Sequence, residues 1–269
     1  MKTRLTITLP PDLLKTIDAF VDKKTIRNRS HAIEHLVRAS ISSQINTAVI
    51  LAGGNKKSKQ NPLLKKIDDK ELFIHQVSHL KQYGIKTVIV CLNESDKYIE
   101  TIFGDGKDLG VRILYSFESI TLGTAGTLKK ASKLWSNQSA IVVLHGDVLT
   151  TIALDELIAF HQSEEADITL AVKPRIGKRE LGQVYLQGSR VTSFTKNSVE
   201  SEISIINTGV YIISPSVLET LSTKTATYLE TDVFPKLADD NKLRAFIFQG
   251  IWYDISTDEQ HLLAQKRLS

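Results

Sequence analysis

The feature that most constrains this chain is the apolar run Thr47-Ala-Val-Ile-Leu-Ala-Gly-Gly54, which ends in two glycines. A short unbroken apolar run bounded by glycine is typical of a strand that is buried on both faces, as in a parallel sheet. Glycines directly after such a strand let backbone amides approach an anion closely. The run therefore predicts a central buried strand that leads into an anion-binding turn.

The segments that follow alternate between helical and strand-like apolar patterns. The predicted helices and strands, in chain order, are helix 71–83, strand 87–92, helix 95–103, strand 111–116, helix 125–135 and strand 140–147. Such alternation indicates right-handed crossovers in a parallel sheet, with ligands bound at the carboxyl ends of the strands. We expect residues 46–269 to form one α/β domain with a Rossmann-like mixed, mostly parallel sheet.

Residues 1–45 have a different pattern. Thr3–Leu9 alternates strictly between apolar and polar residues, which predicts a strand, and Pro11 and Asn28 suit the starts of two helices. One strand and two short helices cannot bury enough apolar surface alone, and the strand has two unpaired edges. We therefore expect two copies to pair as an antiparallel ribbon backed by four helices, in a homodimer or homotetramer.

This module, from its strand to the Asn28-Arg-Ser-His-Ala-Ile33 turn, resembles ribbon-helix-helix repressors of the CopG, Arc and MetJ kind. The resemblance implies that the ribbon enters the major groove of a double-stranded DNA operator. The side chains that would read base edges are Arg4, Thr6 and Thr8, and those that would hold a phosphate are Asn28, Arg29 and Ser30. Residues 1–45 carry eight Lys or Arg against four Asp or Glu, which agrees with this interpretation. A dimerisation arm with a merely solvated outer face is the alternative.

The rest of the chain resembles the sugar-1-phosphate nucleotidyltransferases, most nearly the mannose-1-phosphate guanylyltransferase type. The matching motifs are Leu51-Ala-Gly-Gly54, Pro62-Leu-Leu64, Leu122-Gly-Thr-Ala-Gly126, the strand that ends at Asp147, Ile206-Asn-Thr-Gly-Val-Tyr211, Leu229-Glu230 and Trp252-Tyr-Asp-Ile-Ser-Thr257. The resemblance implies a nucleotide or nucleotide-sugar ligand. The residues that would hold it are Leu51, Ala52, Gly53, Gly54, Leu122, Gly123 and Thr124 on the nucleotide side and Asn207, Gly209 and Glu230 on the sugar side.

Two aspartates are candidate metal ligands. Asp147 follows a predicted strand, and Asp254 lies in the Trp252–Thr257 motif. Carboxylates together with phosphate oxygens suit Mg²⁺, so the family pattern implies Mg²⁺ at this pair. Either aspartate alone could instead cap a helix or a turn. The histidines, His145 among them, show no metal-ligand spacing and are interpreted as structural or surface residues.

Departures from the family pattern bear on catalysis. The loop Asn55–Lys66 lacks the family's Gly-Thr-Arg segment, the family's lysine before Pro-Leu-Leu falls on Asn61 or is lost, and the family's Glu-Lys-Pro has become Thr195-Lys-Asn197. The family arginine and lysine stabilise charge during phosphoryl transfer. These departures predict a catalytically impaired domain that senses a nucleotide, sugar phosphate or nucleotide sugar. Together with the N-terminal module, they predict a DNA-binding transcriptional regulator. The alternatives are an active sugar-1-phosphate nucleotidyltransferase with an accessory N-terminal module, and a scaffold without a ligand.

The sequence also indicates a compartment. No apolar run approaches the ~18 residues that span a membrane. The single Cys91 lies in an apolar run and has no partner for a disulfide, and the N-terminus does not resemble a signal peptide. We therefore expect a cytoplasmic protein with no membrane partner.

Overall fold

The computed structural model describes residues 6–22, 26–41, 45–53, 60–135, 139–176, 182–195 and 203–268. The chain divides into two compact units, an N-terminal unit of residues 1–43 and a larger unit of residues 44–269. None of the helices within the described ranges has the length and apolar character needed to cross a bilayer.

The described part of the N-terminal unit contains two helices, α1 (Pro11–Ala19) and α2 (Arg29–Ile41). Pro11 occupies the first turn of α1, where its missing N–H costs nothing. The side-chain oxygen of Asn28 accepts a hydrogen bond of 2.9 Å from the backbone N–H of His31 and so caps α2. Ile17, Ile26 and Ala32 are buried in a small apolar core of this unit.

The predicted strand over Thr3–Leu9 is not found in the described residues. Residues 1–5, with Arg4, lie outside the described ranges, and Thr6–Leu9 are not in a strand. A strand needs a neighbour that pairs with its backbone groups, and the described part of this unit otherwise consists of α1 and α2. The ribbon-helix-helix resemblance therefore gains no support from this chain.

Two of the three residues expected to contact a DNA phosphate, Asn28 and Arg29, have partners inside the N-terminal unit. Arg29 forms a bidentate ion pair with Asp18 of α1, with Nε–Oδ1 at 2.6 Å and Nη2–Oδ2 at 2.8 Å. Its guanidinium is thus directed at α1 and its charge is balanced by that carboxylate. Asn28 serves as the cap of α2, while Ser30, Thr6 and Thr8 are exposed.

The larger unit is built on a nine-stranded sheet. Its strands, in spatial order, are β5 (Arg112–Glu118), β4 (Thr87–Asn93), β1 (Thr47–Leu51), β6 (Ile141–His145), β11 (Ile203–Ile213), β8 (Ile168–Ile176), β12 (Leu243–Ile247), β10 (Arg190–Thr195) and β9 (Gln183–Gln187). Two further pairs are β2 (Lys66–Ile67) with β3 (Lys70–Glu71) and β7 (Val148–Thr150) with β13 (Trp252–Asp254). The strand predicted from the Thr47–Gly54 run lies inside the sheet, as expected.

The directions of the strands determine which strand ends lie at the same edge of the sheet. β1 is parallel to β4 and β6, and β4 is parallel to β5. β11 is antiparallel to both β6 and β8, so β8 runs in the same direction as β6, and β12 is parallel to β8. The sheet is therefore mixed, and the carboxyl ends of β1, β6, β8 and β12 lie at one edge. This confirms the α/β class and a mixed sheet for this unit. Among the described residues the parallel pairings do not outnumber the antiparallel ones, so the predicted mostly parallel character is not found.

Helices cover both faces of the sheet. They are α3 (Leu72–Gln82), α4 (Tyr98–Phe103), α5 (Gly123–Ala131), α6 (Leu154–Ser163), α7 (Pro215–Thr220), α8 (Phe234–Asp239) and α9 (Asp258–Leu268). Ala48 and Ile50 of β1 belong to the core packed by α3 and α6, whereas Val49 belongs to the core packed by α5, α7 and α8. Because alternate residues of β1 enter opposite cores, the strand must be apolar throughout.

Candidate functional site

A cavity of about 190 Å³ opens at the carboxyl ends of β1 and β6. Loops after parallel strands converge at this edge of an open sheet, where ligands bind in such folds. The lining residues come from the turn after β1, from the segment between β5 and α5, from the end of β6 and from Tyr228. They are Leu51, Ala52, Gly53, Pro62, Glu118, Thr121, Gly123, Thr124, Thr127, His145, Gly146, Asp147 and Tyr228.

The turns after β1 and β6 are held together by their backbones. The N–H of Gly146 donates to the carbonyl of Leu51 at 2.8 Å, and a Cβ at Gly146 would lie 2.6 Å from the Cβ of Ala52. Only glycine permits this close approach. Gly53 lines the cavity in the turn after β1. Gly54 and residues 55–59 of the loop Asn55–Lys66 lie outside the described residues.

The segment between β5 and α5, together with the first two residues of α5, forms what we call the base loop (residues 119–124). The buried carboxylate of Glu118 accepts hydrogen bonds from the N–H of Leu122 at 3.1 Å and from the hydroxyl of Thr127. Gly123 has a φ of +73°, in the left-handed region that favours glycine. The base loop is thus held in a defined conformation by Glu118 and by the left-handed backbone at Gly123. Glu118 was not among the site residues predicted from sequence.

The carbonyl of Thr227 holds the base loop from its other side. It accepts hydrogen bonds from the N–H groups of Ala125 at 2.9 Å and Gly126 at 3.2 Å, in the first turn of α5. The N–H of Thr227 donates to the carbonyl of Leu122 at 2.8 Å. A Cβ at Gly123 would lie 2.4 Å from that same Thr227 oxygen. Backbone of the 225–228 segment therefore requires glycine at this position.

A chain of polar side chains links the base loop to β11. The hydroxyl of Thr124 donates to Glu230 Oε2 at 2.7 Å and accepts from the N–H of Leu229. Glu230 Oε1 lies 3.4 Å from Nε2 of His145, which also lies 3.3 Å from the hydroxyl of Tyr211. Asn207 donates to that hydroxyl at 2.8 Å. We call Thr124, Glu230, His145, Tyr211 and Asn207 the polar chain.

The charges in the polar chain stabilise one another. Burial disfavours the charged imidazolium of His145, but the contact with Glu230 and the charges of Glu230, Asp147 and Asp254 raise the His145 pKa above its usual value. Burial likewise opposes ionisation of Glu230, but the contact with His145 and its charge hold the Glu230 pKa below its ordinary value. The pair therefore favours an ion pair beside the cavity. Sequence reasoning assigned His145 to the surface or core, although its place at a strand end before Gly146-Asp147 was a usable signal.

Gly209 supports this arrangement from β11. Its N–H donates to Oδ1 of Asn207 at 3.1 Å, and its φ of +72° lies in the left-handed region. A Cβ there would lie 2.9 Å from the ring of His145. The Asn207 and Gly209 singled out from sequence thus position the polar chain.

Two carboxylates lie near each other, and one of them, Asp147, lines the cavity. Asp147 follows β6, and Asp254 ends β13, which pairs with β7 directly after Asp147. The N–H of Ile255 donates to the carbonyl of Asp147 at 2.8 Å. Burial and the negative charge of Asp254 raise the pKa of Asp147. Pairing of β7 with β13 therefore joins two aspartates that are far apart in the sequence.

This carboxylate pair fits a hard divalent cation. Two like charges held together are relieved by a cation, and Mg²⁺ uses one or two carboxylates together with substrate phosphate oxygens. Among the residues that the structure describes, no cluster of three or more His, Cys, Asp or Glu side chains forms a complete metal site. The donor set suits Mg²⁺ that is shared with a phosphate ligand rather than a site closed by protein alone.

Asn61 and Lys65 lie on the turn that faces the carboxylates. The Asn61 amide nitrogen donates to the carbonyl of Ala52 and to Asp96, both at 3.0 Å, and its oxygen accepts from Leu63 N–H. It thus fixes the turn before Pro62. The ammonium of Lys65 donates to the carbonyl of Ile255 at 2.8 Å, and its positive charge acts on Asp147. Lys65 was not predicted as a site residue.

Comparison with known proteins identifies the larger unit. The family described as "Nucleotidyl transferase" matches residues 47–268. D-glycero-alpha-D-manno-heptose 1-phosphate guanylyltransferase of Aneurinibacillus thermoaerophilus is 33% identical over 228 residues, which are 82% of this chain and 97% of that protein. Probable mannose-1-phosphate guanylyltransferase 3 of Arabidopsis thaliana is 30% identical over 74% of this chain and only 61% of that protein. The crystal structure of HddC from Yersinia pseudotuberculosis has a TM-score of 0.73 at 21% identity and covers 84% of this chain and 100% of that chain.

These relatives correct the functional prediction made from sequence. The prediction of a DNA-binding transcriptional regulator is wrong, because the relatives are named as guanylyltransferases. The family match begins only at residue 47, so it does not include the N-terminal unit. The preference for a catalytically impaired domain has no support for the same reason. No comparison supports a DNA partner for the N-terminal unit. Since the match covers nearly all of the larger unit, the chain belongs to the nucleotidyl transferase family.

Proposed function

We propose that the larger unit transfers a nucleotidyl group from a nucleoside triphosphate to a sugar 1-phosphate and releases pyrophosphate. Guanosine triphosphate with a mannose or manno-heptose 1-phosphate is the substrate pair favoured by the relatives' names. The single observation that carries the proposal is the cavity that reaches from Gly123 of the base loop to Asp147 of the carboxylate pair. A base and a metal-bound phosphate could occupy its two ends together.

The lining residues suggest a division of roles. Gly53 would bring its backbone to the triphosphate, and Leu51 and Ala52 would line the cavity beside it, with the N–H of Ala52 bonded to the carbonyl of Cys91. Leu122, Gly123 and Thr124 would contact the base. Asn207, Gly209 and Glu230 would lie towards the sugar, where a carboxylate and an amide suit hydroxyl groups. The fixed base loop and polar chain would act by orienting the two substrates, which is the main contribution a protein makes to phosphoryl transfer.

Asp147 and Asp254 would hold Mg²⁺. When bound, the ion neutralises charge on phosphate oxygens. The chain's own contribution is to keep Asp254 close to the cavity-lining Asp147 through the pairing of β7 with β13 and the hydrogen bond from Ile255. Lys65 adds a fixed positive charge next to them.

The assay is release of pyrophosphate from guanosine triphosphate, Mg²⁺ and either mannose 1-phosphate or manno-heptose 1-phosphate. We expect turnover on the order of 1 per second or more. Asp254→Asn should lower it by about 100-fold or more, as expected for loss of a charged stabilising group. Asp105→Asn, at an exposed carboxylate paired with Lys107, is the matched control and should leave turnover unchanged. No pyrophosphate release with any common nucleoside triphosphate would contradict the proposal.

We further infer that the N-terminal unit serves association of chains. Its described helices expose large apolar side chains, with Leu13 at 44%, Phe20 at 41% and Val37 at 49% of full exposure. A second copy of this unit would cover such a surface. Light scattering of the full chain should give an even number of copies, and Leu13→Lys with Val37→Lys should dissociate it. A monomeric wild-type chain at micromolar concentration would refute this inference.

A further inference from the structure

One polar side chain lies in the buried apolar stripe of α3. The buried residues of that helix are Leu72, Phe73, Gln76, Val77 and Leu80, and Gln76 is only 3% exposed. Burial of an amide opposes folding unless hydrogen bonds replace those that it makes with water. An apolar side chain would fill this position without that cost. The amide of Gln76 therefore needs partners in the interior.

The amide nitrogen of Gln76 binds both ends of the turn that carries Asp147. Nε2 donates to the carbonyl of His145 at 3.0 Å and to the carbonyl of Val148 at 2.8 Å. His145 ends β6 and Val148 begins β7, so only Gly146 and Asp147 lie between the two acceptors. Because an amide nitrogen carries two hydrogens, this one group can hold both carbonyls.

Backbone contacts hold the same turn from two other sides. The N–H of Gly146 donates to the carbonyl of Leu51 at 2.8 Å, and the carbonyl of Asp147 accepts from the N–H of Ile255 at 2.8 Å. Together with the two contacts of Gln76, each of the four residues of the turn has a backbone group bonded to another element. The turn is therefore held by α3, by β1 and by the residue that follows β13.

The position of this turn matters because of the charge on Asp147. Burial and repulsion from the nearby Asp254 raise the pKa of Asp147. When no cation is bound, the same repulsion favours a turn in which the two carboxylates move apart. A turn that is fixed at both ends resists this movement and keeps the carboxylates near each other. Geometry that is fixed in advance lowers the cost of binding an ion or a substrate.

We propose that Gln76 is a positioning residue, whose amide holds Asp147 where it can share a divalent cation with Asp254 and a phosphate ligand. The inference rests on the proposed function and adds to it a residue that does not line the cavity. Groups that orient the ligands of a metal ion typically contribute about 10- to 100-fold to metal affinity or activity. Loss of the Gln76 amide should therefore weaken the contribution of the cation to substrate binding.

The test is isothermal titration calorimetry of the full chain with guanosine triphosphate, once with Mg²⁺ and once with a chelator in its place. Gln76→Met keeps the length of the side chain and removes the donor. It should reduce the gain in affinity that Mg²⁺ provides by about 10- to 100-fold. The affinity in the chelator should stay close to that of wild type, because Gln76 does not line the cavity.

Val77→Ala is the matched control. Val77 is buried next to Gln76 on α3, and its side chain is apolar, so the variant loses packing in the core and no hydrogen bond to the turn. Its Tm should fall, while its gain in affinity from Mg²⁺ stays that of wild type. If Gln76 only stabilised the fold, Gln76→Met would behave in the same way as Val77→Ala.

The outcomes separate this inference from the proposed function. A wild-type gain from Mg²⁺ in Gln76→Met would overturn the inference, and so would the absence of any gain in the wild-type chain. Should Gln76→Met not fold, Gln76→Asn takes its place, since its side chain is one methylene shorter and cannot keep both contacts, and a wild-type gain in that variant overturns the inference. A gain that depends on Gln76 in a chain that releases no pyrophosphate would refute the proposed function and leave this role of Gln76 standing.

Discussion

Replacing Gly123 by alanine should damage nucleotide binding through one backbone collision. The new Cβ would lie 2.4 Å from the carbonyl oxygen of Thr227 and 2.8 Å from its carbonyl carbon. These are main-chain atoms, so no side-chain rotation can relieve the contact. The φ of +73° adds left-handed strain of about 1–2 kcal/mol for a residue with a Cβ.

Relief of the collision requires the base loop and Thr227 to separate. Their hydrogen bonds, Thr227 N–H to Leu122 at 2.8 Å and Ala125 N–H to Thr227 at 2.9 Å, would then lengthen. Each such bond contributes about 0.5–1.5 kcal/mol. We therefore expect Gly123→Ala to lower the free energy of unfolding by roughly 2–5 kcal/mol in total.

Gly188 provides the matched control. It lies in the turn between β9 and β10 with a φ of +62°, and a Cβ there would meet no atom within 4 Å. Gly188→Ala therefore carries the left-handed strain without the collision, about 1–2 kcal/mol. In a domain of this size, 1 kcal/mol corresponds to a Tm shift of about 2–4 °C.

The assay combines thermal unfolding with steady-state kinetics. Gly123→Ala should raise the KM for guanosine triphosphate by about 10-fold or more, equivalent to about 1.4 kcal/mol, while the KM for the sugar 1-phosphate stays nearly constant. Gly188→Ala should change neither KM. If the two variants lose the same Tm and bind guanosine triphosphate equally well, the contact with Thr227 does not position the base loop and the reasoning is refuted.

Three further predictions concern charge and protonation. Asp147→Asn removes a buried charge that is repelled by Asp254, so without Mg²⁺ the Tm of the variant should equal or exceed that of wild type. The rise in Tm that Mg²⁺ and guanosine triphosphate cause in the wild type should disappear in the variant. A retained rise would exclude Asp147 as a metal ligand. Glu118→Ala leaves the N–H of Leu122 without its acceptor and should cost about 1–3 kcal/mol in urea unfolding, with Glu118→Gln closer to wild type. Burial lowers the pKa of His161 to about 4. As pH falls below about 6.5, the unfolded chain therefore binds a proton at this histidine that the folded chain does not bind. The free energy of unfolding should decline towards pH 4 by on the order of 3 kcal/mol for this reason. His161→Gln should flatten that decline in Tm against pH, and an unchanged slope would show that other groups cause it.

The fate of the N-terminal prediction shows the limit of a local pattern. Alternation over Thr3–Leu9 is compatible with a strand, but a strand also needs a paired edge, and Thr6–Leu9 are not in one in this chain. The charge excess and Arg29 suggested a phosphate contact, yet the guanidinium is paired with Asp18. The predicted helix start at Asn28 agrees with the structure, because this cap depends only on residues next to it in the chain.

The sequence alone determined the α/β alternation and the central strand of the larger unit. An apolar run such as Thr47–Leu51 must be buried on both faces, and hydrophobic period and turn residues are properties of neighbouring positions. The glycines at 53 and 123 were likewise visible as motifs. Their roles in binding stay predictions, although both line the cavity.

Only the tertiary structure decided which distant groups meet. The pairing of β7 with β13 joins Asp147 to Asp254, and the packing of α3 places Gln76 beside the turn that carries Asp147. Nothing near Lys65 or His145 in the chain announces their partners at Ile255 and Glu230. The physical reason is that electrostatic and hydrogen-bond partners are chosen by distance in space, which the order of strands in the sheet fixes and the local pattern of residues does not.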